Sequence, residues 1–179
     1  MTIEQNKNLI DKYPFLQPRN VWTDKIPDDY DYSYILGVDE LPTGWQNIFL
    51  QMCEDLKKQL IKDNQLHTFR FSQIKEKYNR MECYNNGCSA AAQRIIDKYS
   101  HLASNVCIVC GKVACWETKG YYASFCDDCL NKYALHNTSE FLTHPITQYR
   151  LIVHKNGKRY YKTVSFLREW KRYVASLSN

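Results

Sequence analysis

Apolar side chains recur at helical spacing over residues 44–63. Positions 45, 48, 49, 52, 53, 56 and 60 are apolar, which is the spacing of one buried helix face. Thr43 stands at the start of this segment and Gln46 follows three positions later, so we expect a capping box at the N-terminus of the helix. The pattern predicts a long amphipathic helix in which Cys53 serves as a small buried hydrophobic side chain.

Two other stretches share this helical period. Residues 2–12 predict a short helix with three inward side chains, Ile3, Leu9 and Ile10. Residues 89–103 predict another, whose apolar face carries Ala92, Ile95, Ile96, Tyr99 and Leu102. Alternation of apolar and polar residues over 68–84 predicts two short strands or a strand and a turn, and Asn85-Asn86-Gly87 indicates a turn after them.

Residues 13–34 contain three prolines, which deny this segment a continuous helix. The same segment holds five large apolar side chains, Phe15, Leu16, Val21, Trp22 and Ile26. Because so many apolar groups are unusual in a free linker, we expect an extended arm that packs on the body of the protein.

The C-terminal part of the chain predicts a hairpin followed by a helix. Two strand-like runs, 149–154 and 158–164, flank Asn156-Gly157. Asn-Gly is a strong hairpin signal, because both central residues of a type I′ turn need positive φ. Apolar residues at helical spacing then predict a final helix with Phe166, Leu167, Trp170, Tyr173 and Val174 on its apolar side.

The composition of the 179 residues agrees with a folded α+β protein. Hydrophobic residues make up 44% and aromatic residues 14% of the chain, with six glycines and five prolines, which excludes disordered and collagen-like chains. We divide the chain into an N-terminal arm with an α+β region (1–104), a cysteine-rich module (105–136) and a basic hairpin with a helix (137–179).

Hydropathy also bears on the compartment. No apolar run approaches the roughly 20 residues of a membrane helix, and the N-terminus lacks the apolar stretch of a signal peptide. We therefore expect a cytoplasmic protein with no membrane partner. In that compartment its eight cysteines should be reduced or metal-bound rather than paired as disulfides.

Two Cys-x-x-Cys pairs are the clearest chemical motif. Cys107 and Cys110 are separated from Cys126 and Cys129 by 15 residues, which is the spacing of a structural zinc site. Four thiolates complete a closed tetrahedral shell around one Zn²⁺, so we expect one structural zinc ion. Gly111 suits the knuckle turn after the first pair. A predicted hairpin (113–117 and 121–125) and a predicted helix follow, and this order indicates a zinc-ribbon or treble-clef module.

The remaining cysteines and the histidines do not suggest a catalytic site. Cys115 is expected to pack inside the hairpin, and Cys83 and Cys88 have no evident fourth ligand for a second metal site. A His–Asn–His nuclease carries histidines between its cysteine pairs, whereas here His136 ends the predicted helix and His144 lies in a predicted loop. No phosphate-binding glycine loop and no G-x-S-x-G motif is present. We expect no enzymatic activity.

Charge is distributed unevenly along the chain. From residue 148 to the end there are eight basic residues and one acidic residue, a net +7, whereas the first 147 residues sum to −2. Basic residues neutralise phosphates and exposed tyrosines stack on bases. The candidates for DNA or RNA contact are therefore Arg150, Lys155, Lys158, Arg159, Lys162 and Tyr160. The alternative is a solvated basic surface whose tyrosines pack inward.

An acidic, tyrosine-rich stretch lies in the arm. Asp28, Asp29 and Asp31 alternate with Tyr30 and Tyr32, without the spacing and glycine of a calcium-binding loop. We interpret these five residues as a candidate partner-binding surface that could occupy a basic groove on another protein, as a phosphate backbone would. An ordinary solvated acidic face is the alternative.

Several segments are familiar when taken together. They are YPFLQPRNVWTDKIPDDYDYSY (13–34), the helix around GWQNIFLQMCEDLKK, QIKEKYNRMECY (73–84), and CIVCGK with CDDC. This series resembles a family of small proteins encoded by bacteriophages and integrated elements, and the resemblance covers residues 9–130. The family usually has glycine where this chain has Asn79, and a more basic or aromatic pattern at Glu82-Cys83.

The resemblance implies a small phage protein that acts by binding host machinery, and it overlaps with type II anti-CRISPR proteins. Our leading hypothesis is a non-catalytic inhibitor of a host defence nuclease, which contacts the nucleoprotein and/or its DNA. A zinc-containing nucleic-acid-binding regulator is the first alternative. A structural or accessory phage protein is the second.

Overall fold

The computed structural model describes residues 1–118, 122–136, 143–146, 149–155 and 158–164. The Asn156-Gly157 turn and the predicted C-terminal helix lie outside the described residues. The described residues form four helices: α1 (Ile3–Lys12), α2 (Gln46–Lys62), α3 (Ala90–Ala103) and α4 (Asp127–His136). Single 3₁₀ turns occur at Pro14–Leu16 and Thr43–Trp45.

Within the described ranges, seven short strands form three small antiparallel sheets. The strands are β1 (Phe71–Glu76), β2 (Met81–Asn85), β3 (Trp116–Thr118), β4 (Ser124–Phe125), β5 (Thr143–Pro145), β6 (Tyr149–Lys155) and β7 (Lys158–Val164). They pair as β1–β2, as β4–β3–β5 and as β6–β7. The predicted α+β class is therefore confirmed, and so is the C-terminal strand pair. Of the two arrangements predicted for 68–84, the structure has two short strands, and these pair with each other.

The main hydrophobic core is built around α2. Its predicted apolar face is buried along its length, from Trp45 at its start through Phe49, Met52, Cys53, Leu56 and Leu60. Helix α3 packs against α2 with its own predicted face, and Ser89 caps it by accepting from the Ala92 N–H at 3.1 Å. No helix in the described part of the chain combines the length and apolar content needed to cross a membrane.

The N-terminus of α2 differs from the prediction. Thr43 does not cap the helix, because residues 43–45 form a 3₁₀ turn and α2 begins only at Gln46. The Gln46 amide donates instead to the Val38 carbonyl at 3.2 Å. The Gly44 N–H donates to the Ile108 carbonyl at 2.9 Å. That contact with the cysteine-rich module holds the turn that displaces the capping box.

Helix α1 begins with a capping box, which the sequence pattern predicts for α2 and not for α1. Thr2 accepts from the Gln5 N–H at 3.2 Å, and the Gln5 side chain accepts from the Thr2 N–H at 2.8 Å. Ile10 is buried as predicted, but Ile3 is 49% exposed, so its inward placement was wrong. Asn6 is buried instead, because its amide donates to the Tyr32 carbonyl of the arm at 2.8 Å.

The arm packs on the body at only part of its length. Phe15 and Leu16 are fully buried as predicted, and the Phe15 ring meets Phe69 and Phe71 edge-on at 5.8 Å each. The other three apolar side chains are exposed, which corrects the prediction: Val21 (69%), Trp22 (93%) and Ile26 (41%). The physical reason is a local turn over residues 19–25, whose backbone groups hydrogen-bond to one another and to the Asn20 side chain.

The turn between β1 and β2 connects three parts of the fold. Tyr78 and Asn79 both have positive φ, 51° and 59°, as a type I′ hairpin turn requires. The buried Asn79 amide donates to the Ser104 carbonyl after α3 at 3.1 Å and to the Ser124 hydroxyl in β4 at 2.6 Å. Asn79 therefore ties the hairpin to α3 and to the cysteine-rich module.

Replacing Asn79 by alanine is expected to lower the free energy of unfolding by about 1–3 kcal/mol, because two buried polar groups lose a donor. The matched control is Tyr78→Gly at the neighbouring turn position, whose side chain is 68% exposed. Glycine relieves the left-handed strain there, so the control should be neutral or stabilising by up to about 1 kcal/mol. Urea denaturation of both variants measures the difference. Equal losses in the two variants would contradict the tertiary role of Asn79.

Candidate metal centre

The four cysteines of the two Cys-x-x-Cys pairs lie together in the structure. The sulfur atoms of Cys107, Cys110, Cys126 and Cys129 are all within 4.8 Å of one another, and those of Cys110 and Cys126 are 3.6 Å apart. A tetrahedral shell with metal–sulfur bonds near 2.3 Å places sulfurs about 3.8 Å apart. The group therefore has the size and the donors to hold one metal ion.

The first pair lies on a tight turn. The Gly111 N–H donates to the Cys107 carbonyl at 2.9 Å, and the Cys107 N–H donates to the Lys112 carbonyl at 2.7 Å. Gly111 has φ of +75°, a conformation that favours glycine, as the sequence predicts for this position. The turn brings the buried Cys107 and the exposed Cys110 to the same side.

The second pair spans the start of α4. The Cys126 carbonyl accepts from the Leu130 N–H at 2.9 Å, so Cys126 precedes the first turn and Cys129 lies within it. Asp127 and Asp128 occupy the same turn, where negative charge is favourable. Asp127 also accepts from the Trp116 indole N–H at 2.7 Å, which fixes the helix against β3.

Short backbone ladders join the two pairs. The Ile108 N–H donates to the Ser124 carbonyl at 2.9 Å, and the Cys115 N–H donates to the Phe125 carbonyl at 2.8 Å. The strands are shorter than the predicted 113–117 and 121–125, because Val113 makes only one isolated bridge, to Val106. The sequence pattern does not predict β5. This strand pairs His144 with Glu117, so the predicted loop at His144 is wrong.

Gly44 forms the contact between this module and the main core. A Cβ atom on Gly44 would lie 2.1 Å from the Cys107 carbonyl oxygen and 2.7 Å from the Gly111 nitrogen. A Cβ on Gly111 would lie 2.7 Å from the Gly44 oxygen. Two backbones thus touch where α2 begins and where the first cysteine pair turns. The sequence pattern predicts only that a helix begins near Gly44, and it does not predict this contact.

The thiols of this group have unequal acidity. Burial raises the pKa of Cys126 and that of Cys129. At Cys129, hydrogen bonds with the neighbouring thiols raise the pKa further. At Cys110 burial also acts to raise the pKa, but the Lys112 N–H and the other thiols outweigh it and the pKa is lowered. Neighbouring thiolates repel one another, and a bound cation removes that repulsion.

The other cysteines lie outside the metal-binding group. The Cys115 sulfur is 3.7 Å from an Asp127 carboxylate oxygen, and burial raises the pKa of Cys115. Burial raises the pKa of Cys83 to about 12 and also raises that of Cys88. Within the described ranges, no second set of three or more cysteine, histidine or carboxylate ligands comes together. Packing roles for these thiols agree with this arrangement.

The residues of the acidic stretch take two different positions. Asp28, Asp29 and Asp31 are exposed, as a partner-binding surface requires. Tyr30 and Tyr32 are half-buried and pack against the main core, with ring centroids 4.8 Å apart. Burial, with smaller contributions from neighbouring acidic groups, raises the pKa of Tyr30 to about 12. The two tyrosines therefore support the carboxylates rather than extending outward with them.

The candidate nucleic-acid residues lie on β6 and β7, which form a sheet of their own. The register places Lys155 opposite Lys158 at the end of the ladder next to the turn, and Arg159 opposite His154. Further along, the backbone register pairs Val153 with Tyr160, Leu151 with Lys162 and Arg150 with Thr163. All six predicted positions are thus carried by one two-stranded ribbon.

No protein-family model, no curated protein and no solved structure matches this chain. We therefore argue its function from three features: the cysteine group, the acidic stretch of the arm and the basic ribbon.

Replacing Gly44 by alanine is expected to weaken metal retention, because the new Cβ collides with the backbone that carries Cys107. The matched control is Gly87→Ala, where the new Cβ meets no atom within 4 Å. Gly87 has φ of +105°, so an alanine there has a strained backbone but does not contact the cysteine-rich module. Titration with a chelator, followed by metal analysis, should show loss from Gly44→Ala at lower chelator concentrations. Equal retention in the two variants would contradict the contact.

Proposed function

We propose that Cys107, Cys110, Cys126 and Cys129 bind one structural Zn²⁺ in a treble-clef or zinc-ribbon module. An all-thiolate tetrahedral donor set is typical of structural zinc. The order of a turn with two cysteines, a short hairpin and a helix that begins at the second pair supports the same module. Four protein thiolates leave no coordination position for water or substrate, so the ion stabilises the fold and has no catalytic role.

The purified protein is expected to contain one zinc ion per chain. Cys107→Ser should lose it and should unfold at least the module, since metal binding to such a site contributes on the order of 10 kcal/mol. Cys115→Ser, which removes a thiol outside the group, serves as the control and should keep the ion. Elemental analysis and thermal unfolding of fresh protein test this. Metal-free wild-type protein would refute the proposal.

We further propose that the chain is a non-catalytic binding protein of the phage type that inhibits a host defence nuclease. The observation that carries this proposal is the acidic stretch. Within the described residues, no lysine or arginine lies at ion-pair distance from Asp28, Asp29 or Asp31. Three exposed carboxylates that are close in sequence and have no ion-pair partner among the described residues are complementary to the basic groove of a protein that binds nucleic acid.

The backbone that presents these carboxylates is already ordered. The Tyr30 hydroxyl donates to the Tyr34 carbonyl, and the Asp31 carboxylate accepts from the Ser33 N–H at 2.9 Å. These hydrogen bonds to Ser33 lower the pKa of Asp31 and keep its charge. The Lys7 ammonium lies 5.0 Å from the centroid of the Tyr32 ring and packs the stretch onto α1. A preformed surface binds at lower entropic cost, which supports a docking role.

The basic ribbon supports a second candidate function, a zinc-containing nucleic-acid-binding regulator. A two-stranded ribbon can enter the major groove of DNA, and the backbone pairing of Lys155 with Lys158 brings two basic positions to one end of it. A structural or accessory phage protein would require neither charged surface to bind. The two candidates predict opposite responses to charge changes in the arm and in the ribbon.

Changing Asp28, Asp29 and Asp31 together to asparagine is expected to weaken binding to a guide-loaded type II RNA-guided nuclease and to slow association at low salt. The same variant should keep or slightly raise its affinity for duplex DNA, because it removes like charge. Glu4→Gln with Asp11→Asn removes two exposed charges on α1 and is the control for net charge. Binding kinetics and a DNA-cleavage assay over a panel of such nucleases measure the effect.

Reversing Lys158 and Arg159 to glutamate separates the regulator from the inhibitor. If the ribbon binds DNA, affinity should fall on every sequence, and the slope of log K against log[salt] should flatten by about 0.9 per lost phosphate contact. Absence of nuclease binding by the wild-type chain would refute the inhibitor. Unchanged binding to nuclease and DNA in both charge variants would refute both candidates.

A further inference from the structure

Trp22 is the most exposed large apolar side chain of the described residues. Its exposed fraction is 93%, and the adjacent Val21 is 69% exposed. A tryptophan covered on binding removes about 150–250 Å² from water, and tryptophan is enriched among the residues that dominate interface energies. Exposing this indole to water is unfavourable in free energy, and only a second molecule that covers the indole removes that penalty.

The turn that carries Trp22 is held rigidly by its own hydrogen bonds. The Asn20 side chain accepts from the N–H groups of Trp22 and Thr23 at 2.9 and 3.0 Å. The Asn20 backbone pairs with Lys25 and Asp24 at 2.8 and 2.9 Å.

 

The Arg19 guanidinium donates to the Asp24 carbonyl at 2.7 Å and lies 3.7 Å from the Asp24 carboxylate, and Asp24 has φ of +55°. These contacts close the turn over residues 19–25 and hold the backbone beneath Trp22, so binding through the indole would require little further ordering.

The charges around Trp22 indicate the chemistry of its partner. Trp22 and Asp28 are six residues apart, at most about 20 Å along the chain, so both fit within one interface of about 800 Å² per partner. Arg19 is paired with Asp24, and Arg70 interacts electrostatically with both. Beyond that pair, the positive charges of Lys25 and Arg70 stand against three carboxylates, those of Asp28, Asp29 and Asp31, so negative charge is in excess by one. A nucleic acid would be repelled by these carboxylates, whereas a protein cleft with a basic rim is attracted.

We infer that Trp22 is the apolar anchor with which the arm docks into the nucleic-acid groove of a protein. In this arrangement the indole occupies an apolar or aromatic cleft of the kind that stacks a base. The carboxylates of Asp28, Asp29 and Asp31 meet the lysine and arginine side chains that otherwise bind phosphates. The inference rests on the proposed inhibitor function and names the contact that would give it affinity.

The test compares Trp22→Ala, Trp22→Phe and Tyr78→Ala in binding to the guide-loaded nuclease at several salt concentrations. Trp22→Ala should bind about 30-fold more weakly, as expected for a hot-spot residue. Its salt dependence should stay that of the wild type, because no charge is lost. Trp22→Phe should recover most of the affinity, and Tyr78→Ala, which removes a 68% exposed ring elsewhere, should bind as the wild type does.

Because Trp22 makes no buried contact, its variants should unfold at the wild-type temperature, and circular dichroism checks this. Equal binding by wild type and Trp22→Ala would overturn the anchor while the inhibitor function stands. A wild-type chain that binds no nuclease of the panel would overturn both. The two failures are therefore distinguishable.

Discussion

The backbone contact between Gly44 and the turn at Cys107–Gly111 is the constraint on which the rest of the structure depends. It joins the start of α2, the axis of the main core, to the turn that carries two of the four cysteines. No side chain fits between these backbones, so metal geometry and core packing are coupled. Asn79 adds a second link, from the β1–β2 turn to Ser104 and Ser124.

This coupling gives the proposed zinc ion a role beyond its own module. A closed thiolate shell holds the Cys107 turn, and that turn in turn positions the beginning of α2. The arm packs on the same body through Phe15 and Leu16, and its acidic stretch rests on Tyr30 and Tyr32. A stable core thus supports an ordered display of charge, which is what the proposed docking function requires.

Local periodicity predicted the helices well and the exposure of individual side chains less well. The faces of α2 and α3 are buried as their spacing indicates, because many apolar residues agree on one direction. Ile3, Val21 and Trp22 are exposed although they are apolar. A single apolar residue does not fix the direction of a buried face. Near these residues, hydrogen bonds of Asn6 and Asn20 determine which part of the backbone approaches the body.

The sequence by itself determined the cysteine group, because the Cys-x-x-Cys spacing is a local geometric requirement of a tetrahedral site. It also determined the amphipathic faces of α2 and α3, which depend on neighbours along the chain. Only the tertiary structure decided the start of α2, the pairing of β5 with β3, and the buried position of Asn79. Each of these depends on a partner distant in sequence, and local residue patterns carry no information about such partners.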